Sequence, residues 1–129
     1  MDESEWLVFT SEELSEKVEG SQPRLFEFLS TPGLSAVAYR LPAGSIDVQA
    51  PHLEDEVYLV LSGRAGFRVA EHECKVAPGN ILFVRAGVVH SYFDIEEDLT
   101  VVAVFGAQSR TVPNAAYLRG QERDGRTGI

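Results

Sequence analysis

Two stretches of the chain carry most of the side chains able to do chemistry. The first runs from Gly44 to Gly63 and holds His52, Glu54, Asp55, Glu56 and Tyr58; the second runs from Gly79 to Asp94 and holds Arg85, His90 and Tyr92. In an extended strand, residues two or four apart share a face, so His52 and Glu56 can point the same way, and Glu54 shares their parity. His90 belongs to a separate run and meets them only through tertiary folding. Two imidazoles and one carboxylate make the facial set that suits Fe(II), with Mn, Ni, Co or Zn also feasible. Tyr58 and Tyr92 share parity with Glu56 and His90 and would line the same cavity, offering a hydroxyl and a stacking face to a small ligand.

The other candidates are weaker. His72 and Cys74 are two apart, but they fall at a hairpin tip without further ligands, so a solvent-facing His and a small buried thiol are expected there. Arg40 and Arg85 sit near strand ends and could hold a substrate carboxylate, although most such arginines are solvated. The single Cys74 excludes an internal disulfide and any Cys-rich zinc site. There is no Gly-x-Ser-x-Gly and no Gly-rich phosphate loop, which disfavours a serine hydrolase and a nucleotide binder.

The elements that must position these residues read as an all-β chain. Apolar runs recur at Leu25–Leu29, Leu34–Leu41, Val57–Leu61, Ala65–Ala70, Cys74–Ala77, Ile81–Val84, His90–Phe93 and Leu99–Phe105. Turn signals separate them: Pro32-Gly33, Leu41 to Gly44, Ser62-Gly63 and Pro78-Gly79. Short strands at this spacing indicate a sandwich or barrel, and no helical pattern intervenes to make a parallel sheet. Ahead of them, Trp6–Phe9 suits a short strand, and Thr10 with Glu12 and Glu13 forms a helix start running to about Val18. Past Phe105 the apolar density falls; Asn114 could cap a one-turn helix over 115–119, and 121–129 have little to bury.

These two stretches resemble the paired motifs of the cupin superfamily, small antiparallel double-stranded β-helix barrels of the jelly-roll type. Gly44, His52, Glu56 and Gly63 fall on the first motif, but Ala50 stands where its first His belongs. Gly79, Gly87 and His90 fall on the second, with Arg85 at its Pro position and Asp94 at its Asn position. The resemblance spans about residues 34–105 and implies a type 2, single-domain cupin with one divalent metal held by His52, Glu56 and His90. Ala50 cannot coordinate, which leaves a position open for substrate beside Tyr58 and Tyr92. Gln49 and Asp47 fall on the opposite face from Ala50 by strand parity and are not expected to replace the missing ligand. The implied activity is that of a small-molecule metalloenzyme, dioxygenase- or isomerase-like, acting on an oxygen-rich substrate. The alternative is a non-enzymatic ligand-binding or sensing module with weak metal or none.

Composition sets the outer limits. The chain has 129 residues, the size of one domain, with a barrel core over about 24–105 and a C-terminal extension over 106–129. Eleven basic residues against twenty acidic ones give a net charge of -9, the wrong sign for nucleic acid or an anionic membrane. The expected partners are a small-molecule ligand and a second copy, since a small barrel leaves sheet edges to cover. No apolar run is long enough to span a bilayer and the N-terminus is acidic, so the expected location is the cytoplasm.

Overall fold

A computed structural model describes residues 5–49 and 51–107. One helix, α1 (Ser11–Lys17), precedes six strands: β1 (Arg24–Thr31), β2 (Leu34–Leu41), β3 (Glu56–Val69), β4 (His72–Val76), β5 (Ile81–Val84) and β6 (His90–Gly106). The expected helix start holds: Thr10 Oγ1 accepts from the Glu13 backbone N–H at 3.1 Å, and Glu12 and Glu13 face the positive end of the helix. Trp6–Phe9, expected as a strand, pairs with no strand among the described residues. The one-turn helix expected at 115–119 and the tail lie outside the described residues.

All pairings are antiparallel, in the order β1–β2–β6–β3–β4, with β5 also on β3. This is the expected antiparallel double-stranded β-helix. Eight apolar runs become six strands because two expected breaks are not breaks. Ser62-Gly63 is a bulge inside β3 rather than a turn: the register against β6 slips on both sides of Ser62, and Gly63 takes φ +93°. A side chain at Gly63 would collide with the backbone of Asp98 and Leu99. The acidic segment after Phe93 likewise continues β6, with Asp94 at φ 47° absorbing the bend and Arg64 opposite Glu97. The bend in β3 lets its first half pair with β5 and its second with β4, while β6 follows it throughout.

Alternation along each strand divides two cores. Inward residues (Val37, Tyr39, Leu41, Tyr58, Val60, Phe67, Val84, Tyr92, Val101, Phe105) fill the barrel. Outward Ala38 and Val102 pack beneath α1, where Leu14 and Val18 close over them with Phe26, Phe28 and Leu61. His72 is exposed at the start of β4. Cys74, expected as a buried thiol, is exposed as well, because β4 lies at the sheet edge and only its last residue, Val76, is buried. Among the described residues no helix is long and apolar enough to cross a membrane.

Candidate metal centre

Three elements deliver the site. β3 begins at Glu56, β6 begins at His90, and the irregular segment 42–55 carries His52 between them. Loop-to-loop hydrogen bonds fix that segment. Gly87 N donates to the His52 carbonyl at 2.8 Å, Ala86 N to Asp55 Oδ1 at 2.8 Å, and Gly106 N to the Asp55 carbonyl at 3.1 Å. Gly87 sits at φ +88°, a left-handed turn that favours glycine at this position.

His52, Glu56 and His90 are all at least 97% buried, and one ligand atom from each lies within 4.8 Å of the others. His90 Nε2 is 3.0 Å and His52 Nε2 is 3.7 Å from the same Glu56 Oε1. Phe105 stands edge-on to the His52 ring at 5.2 Å, and Phe67 and Tyr58 flank the His90 ring at 6.1 and 5.9 Å. This is a group that could hold a metal ion, and its chemistry fits one. His90 Nδ1 is 2.8 Å from the Val88 carbonyl, an acceptor only, so Nδ1 carries the proton. In the neutral ring the Nε2 lone pair then faces a carboxylate oxygen, and two acceptors at 3.0 Å need a cation or a proton between them.

Electrostatics say the same. Burial raises the Glu56 carboxyl, an effect that the His90 hydrogen bond and charge and the Tyr58 hydroxyl reduce without cancelling. For His90, burial opposes the imidazolium, but the Glu56 hydrogen bond, the Val88 carbonyl and the charges of Glu56 and Asp47 outweigh it and raise the ring. Without a metal, the pair therefore holds protons tightly.

Tyr58 and Tyr92 both face this interior, with their rings 5.2 Å apart. The Tyr58 hydroxyl donates to Gln49 Oε1 at 2.9 Å and lies 3.1 Å from His90 Nε2. Burial first, then the Glu56 charge, push its pKa up, so it stays protonated. Glu54, the parity alternative to Glu56, is buried but stands apart from the three-residue group; the bend at 53–54 turns it toward a groove of about 660 Å³ that it shares with Glu27, Val37 and Phe105. Ala50 lies outside the described residues. Arg85 is exposed, and Arg40 is used structurally, bound to Asp98 at 2.9 Å, the Thr100 hydroxyl at 3.1 Å and the Gly20 carbonyl at 3.2 Å.

Asp47 and Gln49 are the residues that the sequence reading left out of the site. Segment 45–49 is not a strand, and both side chains turn inward. Asp47 accepts from Tyr39 Oη at 2.9 Å, from the Tyr92 backbone N–H at 2.8 Å and from Gln49 Nε2. Burial raises its carboxyl and those three donors partly offset the rise. The Gln49 amide is thereby turned so that its oxygen meets Tyr58. A signal was present: Ile46 and Val48 are 83% and 75% exposed, so polar residues alternate inward and apolar ones outward, the inverse of an ordinary core strand.

Residues 38–105 match the family model for the cupin domain. An uncharacterized protein of Streptomyces coelicolor is 40% identical over 98 residues, covering 76% of this chain and 93% of that one. A cupin family protein with a double-stranded β-helix fold from Methanocaldococcus jannaschii superposes with a TM-score of 0.67 at 12% identity, over 88% of this chain and 100% of the other. The DMSP lyase of Ruegeria pomeroyi superposes at 0.62 and 19% identity, over 72% of this chain and 49% of its own. With the barrel closed around a His–Glu–His group and more than half of its length matched, this chain belongs to the cupin family.

Proposed function

We propose that the protein is a small-molecule metalloenzyme in which His52, Glu56 and His90 hold one divalent ion. The observation that carries this reading is the convergence of two imidazole Nε2 atoms on one buried carboxylate oxygen. Such an ion supplies Lewis acidity to a substrate oxygen. The chain's own residues do the rest. Tyr58, held protonated, gives its proton to Gln49, which Asp47 fixes, and so keeps a neutral hydroxyl oxygen in one orientation beside His90. Phe67, Tyr92 and Phe105 exclude water from the ligands, which strengthens every charge interaction within. A small oxygen-rich substrate, in an oxygenase- or isomerase-like reaction, suits a cation site with a fixed tyrosine hydroxyl oxygen beside it. A reducing compartment such as the cytoplasm suits the exposed Cys74 thiol.

A second reading, a ligand-binding or sensing module without turnover, is favoured by one feature: Ala50 stands where the family motif has a His. Metal analysis separates the two. Tag-free protein offered Fe(II), Mn, Ni, Co and Zn in turn should take up about one equivalent. His90→Ala should abolish this uptake, His72→Ala should leave it unchanged, and Ala50→His should tighten it. No uptake of any of these ions near stoichiometry would remove the enzyme reading. Loss of metal in His72→Ala but not His90→Ala would place the site elsewhere.

A further inference from the structure

Three tyrosines belong to the barrel core, Tyr39, Tyr58 and Tyr92, and two of them have given their hydroxyl proton away. Tyr39 Oη donates to Asp47 Oδ1 at 2.9 Å, and Tyr58 Oη donates to Gln49 Oε1 at 2.9 Å. Tyr92 differs. The residue is 1% exposed, and its hydroxyl meets no hydrogen-bond partner among the described residues. Asp47 receives the Tyr92 backbone N–H at 2.8 Å, but its other donors are Tyr39 and Gln49, not the Tyr92 hydroxyl. A buried tyrosine hydroxyl ordinarily finds a partner.

Packing does not require this one. The Tyr92 ring stands 5.2 Å from Tyr58 and 4.8 Å from Phe67, its cross-strand partner on β3. Phe67 fills the neighbouring position without an oxygen. A desolvated hydroxyl that lacks an acceptor costs stability, so phenylalanine would suit the core better at residue 92 as well. Groups of this kind collect where a fold trades stability for function.

Its position agrees. Tyr92 lies two residues beyond His90 on β6, and both are buried, so the two side chains leave the strand on the same inner face. Burial first, then the charges of Glu56 and Asp47, hold its proton in place. The inner face is also reachable. Tyr92, Phe67 and Cys74 stand side by side across β6, β3 and β4, and Cys74, at the sheet edge, is exposed. Along this row only Phe67 separates the buried tyrosine from a residue in contact with solvent.

We propose that Tyr92 is a ligand-binding residue: its O–H donates to a carbonyl or carboxylate oxygen of a small molecule held at His52, Glu56 and His90. This rests on the metal-ion reading above and adds the hydroxyl proton that reading leaves unused. Polarity sets the ligand class. A molecule that offers an oxygen acceptor there satisfies the hydroxyl, and a negatively charged oxygen does so best. A molecule that offers only hydrocarbon leaves the hydroxyl without a partner and is disfavoured.

The test compares wild type with Tyr92→Phe, both loaded with Co(II) and titrated with acetohydroxamate, a small oxygen anion followed through the visible Co(II) bands. Tyr92→Phe should take up Co(II) with wild-type affinity and stoichiometry, since Tyr92 is not one of the metal ligands. It should bind acetohydroxamate about tenfold to a hundredfold more weakly, the loss of one hydrogen bond to a charged oxygen. Equal affinity for the probe overturns the proposal, and so does a variant that loses Co(II) itself. If wild type takes up no Co(II), the metal-ion reading fails separately, and calorimetric titration of the two metal-free proteins with acetate decides for Tyr92. Acetate binding at least tenfold weaker in the variant supports the proposal; equal binding, or none in wild type, overturns it. Should Tyr92→Phe fail to fold, the tyrosine hydroxyl protons of Zn(II)-loaded wild type are followed by NMR. A downfield shift of the Tyr92 hydroxyl on adding acetohydroxamate supports the proposal, and an unmoved resonance overturns it.

Discussion

Two tyrosines with nearly the same burial should respond oppositely to loss of their hydroxyls. Tyr58 and Tyr92 are 0% and 1% exposed, and their rings pack against each other and against Phe67 at 5.7 and 4.8 Å. A change to Phe leaves those ring contacts in place, so the hydroxyl alone is tested. Tyr58 Oη donates to Gln49 and adjoins His90. Its removal loses a hydrogen bond worth about 1 kcal/mol and strands the half-buried Gln49 oxygen, a desolvation cost of about 1 kcal/mol more. Tyr58→Phe should therefore destabilise the metal-free protein by about 2 kcal/mol, a fall in Tm of about 6–8 °C for a domain of this size. Tyr92 Oη is buried and has no hydrogen-bond partner among the described residues. A polar group already desolvated without recompense costs stability, so Tyr92→Phe should be neutral or stabilising by up to about 1 kcal/mol. Thermal and urea unfolding of both variants in chelator give the comparison. If Tyr92→Phe loses as much stability as Tyr58→Phe, the reasoning from hydroxyl partners is refuted and burial alone governs both.

Two further outcomes follow from the same structure. Gly63→Ala should destabilise by about 3 kcal/mol or more, since it adds a left-handed backbone penalty of about 1–2 kcal/mol to a clash with the Asp98–Leu99 backbone. Gly66→Ala, whose nearest neighbour is the Phe93 side-chain ring rather than backbone, should cost about half as much; equal losses in urea unfolding would contradict the bulge argument. Glu56, Asp47 and His90 all have pKa values raised by folding, so each binds its proton more tightly folded than unfolded. The stability this gives is complete below the unfolded values and drains away as pH rises from about 4 for the carboxyls and about 6.5 for the imidazole. The Tm of metal-free protein should thus fall between pH 5 and 8, Glu56→Gln should flatten the slope, and a rising Tm would show that the sign is wrong.

Residues within regular strands were legible from sequence, and residues at irregular backbone were not. Parity placed Tyr58 and Tyr92 on one inner surface because both lie in strands where alternation holds, and the Thr10 helix start rests on local hydrogen bonding alone. Asp47 and Gln49 lie outside any strand between β2 and β3, where polar side chains turn inward and Ile46 and Val48 outward, so a hydrophobic pattern could not assign them to the interior. Ser62-Gly63 misled for a related reason: a hairpin turn and a bulge both call for a left-handed glycine, and only the partner strand distinguishes them. Trp6–Phe9 has strand-forming residues, but a strand also needs an edge to join, which no local pattern supplies. Glu54 and Glu56 share parity, and the bend at 53–54 that separates them arises from loop contacts formed by Asp55 with Ala86 and Gly106.

The position of β6 bears on how the molecule comes into being. It is the last described strand in the chain yet lies in the middle of the sheet, between β2 and β3. As synthesis proceeds from the N-terminus, β1 with β2 and β3 with β4 and β5 can form two separate hairpin systems, but nothing native joins them until residues 90–106 emerge. The joining contacts are long in sequence: Leu34 meets Gly106, and Glu56 meets Phe105. Closure by such distant pairings is slow, and the apolar edges of β2 and β3 stay open while it waits. His90 opens that final strand, so the three candidate ligands cannot be brought together in a half-made barrel, and a nascent chain has no assembled cage in which an ion could lodge before the fold is complete.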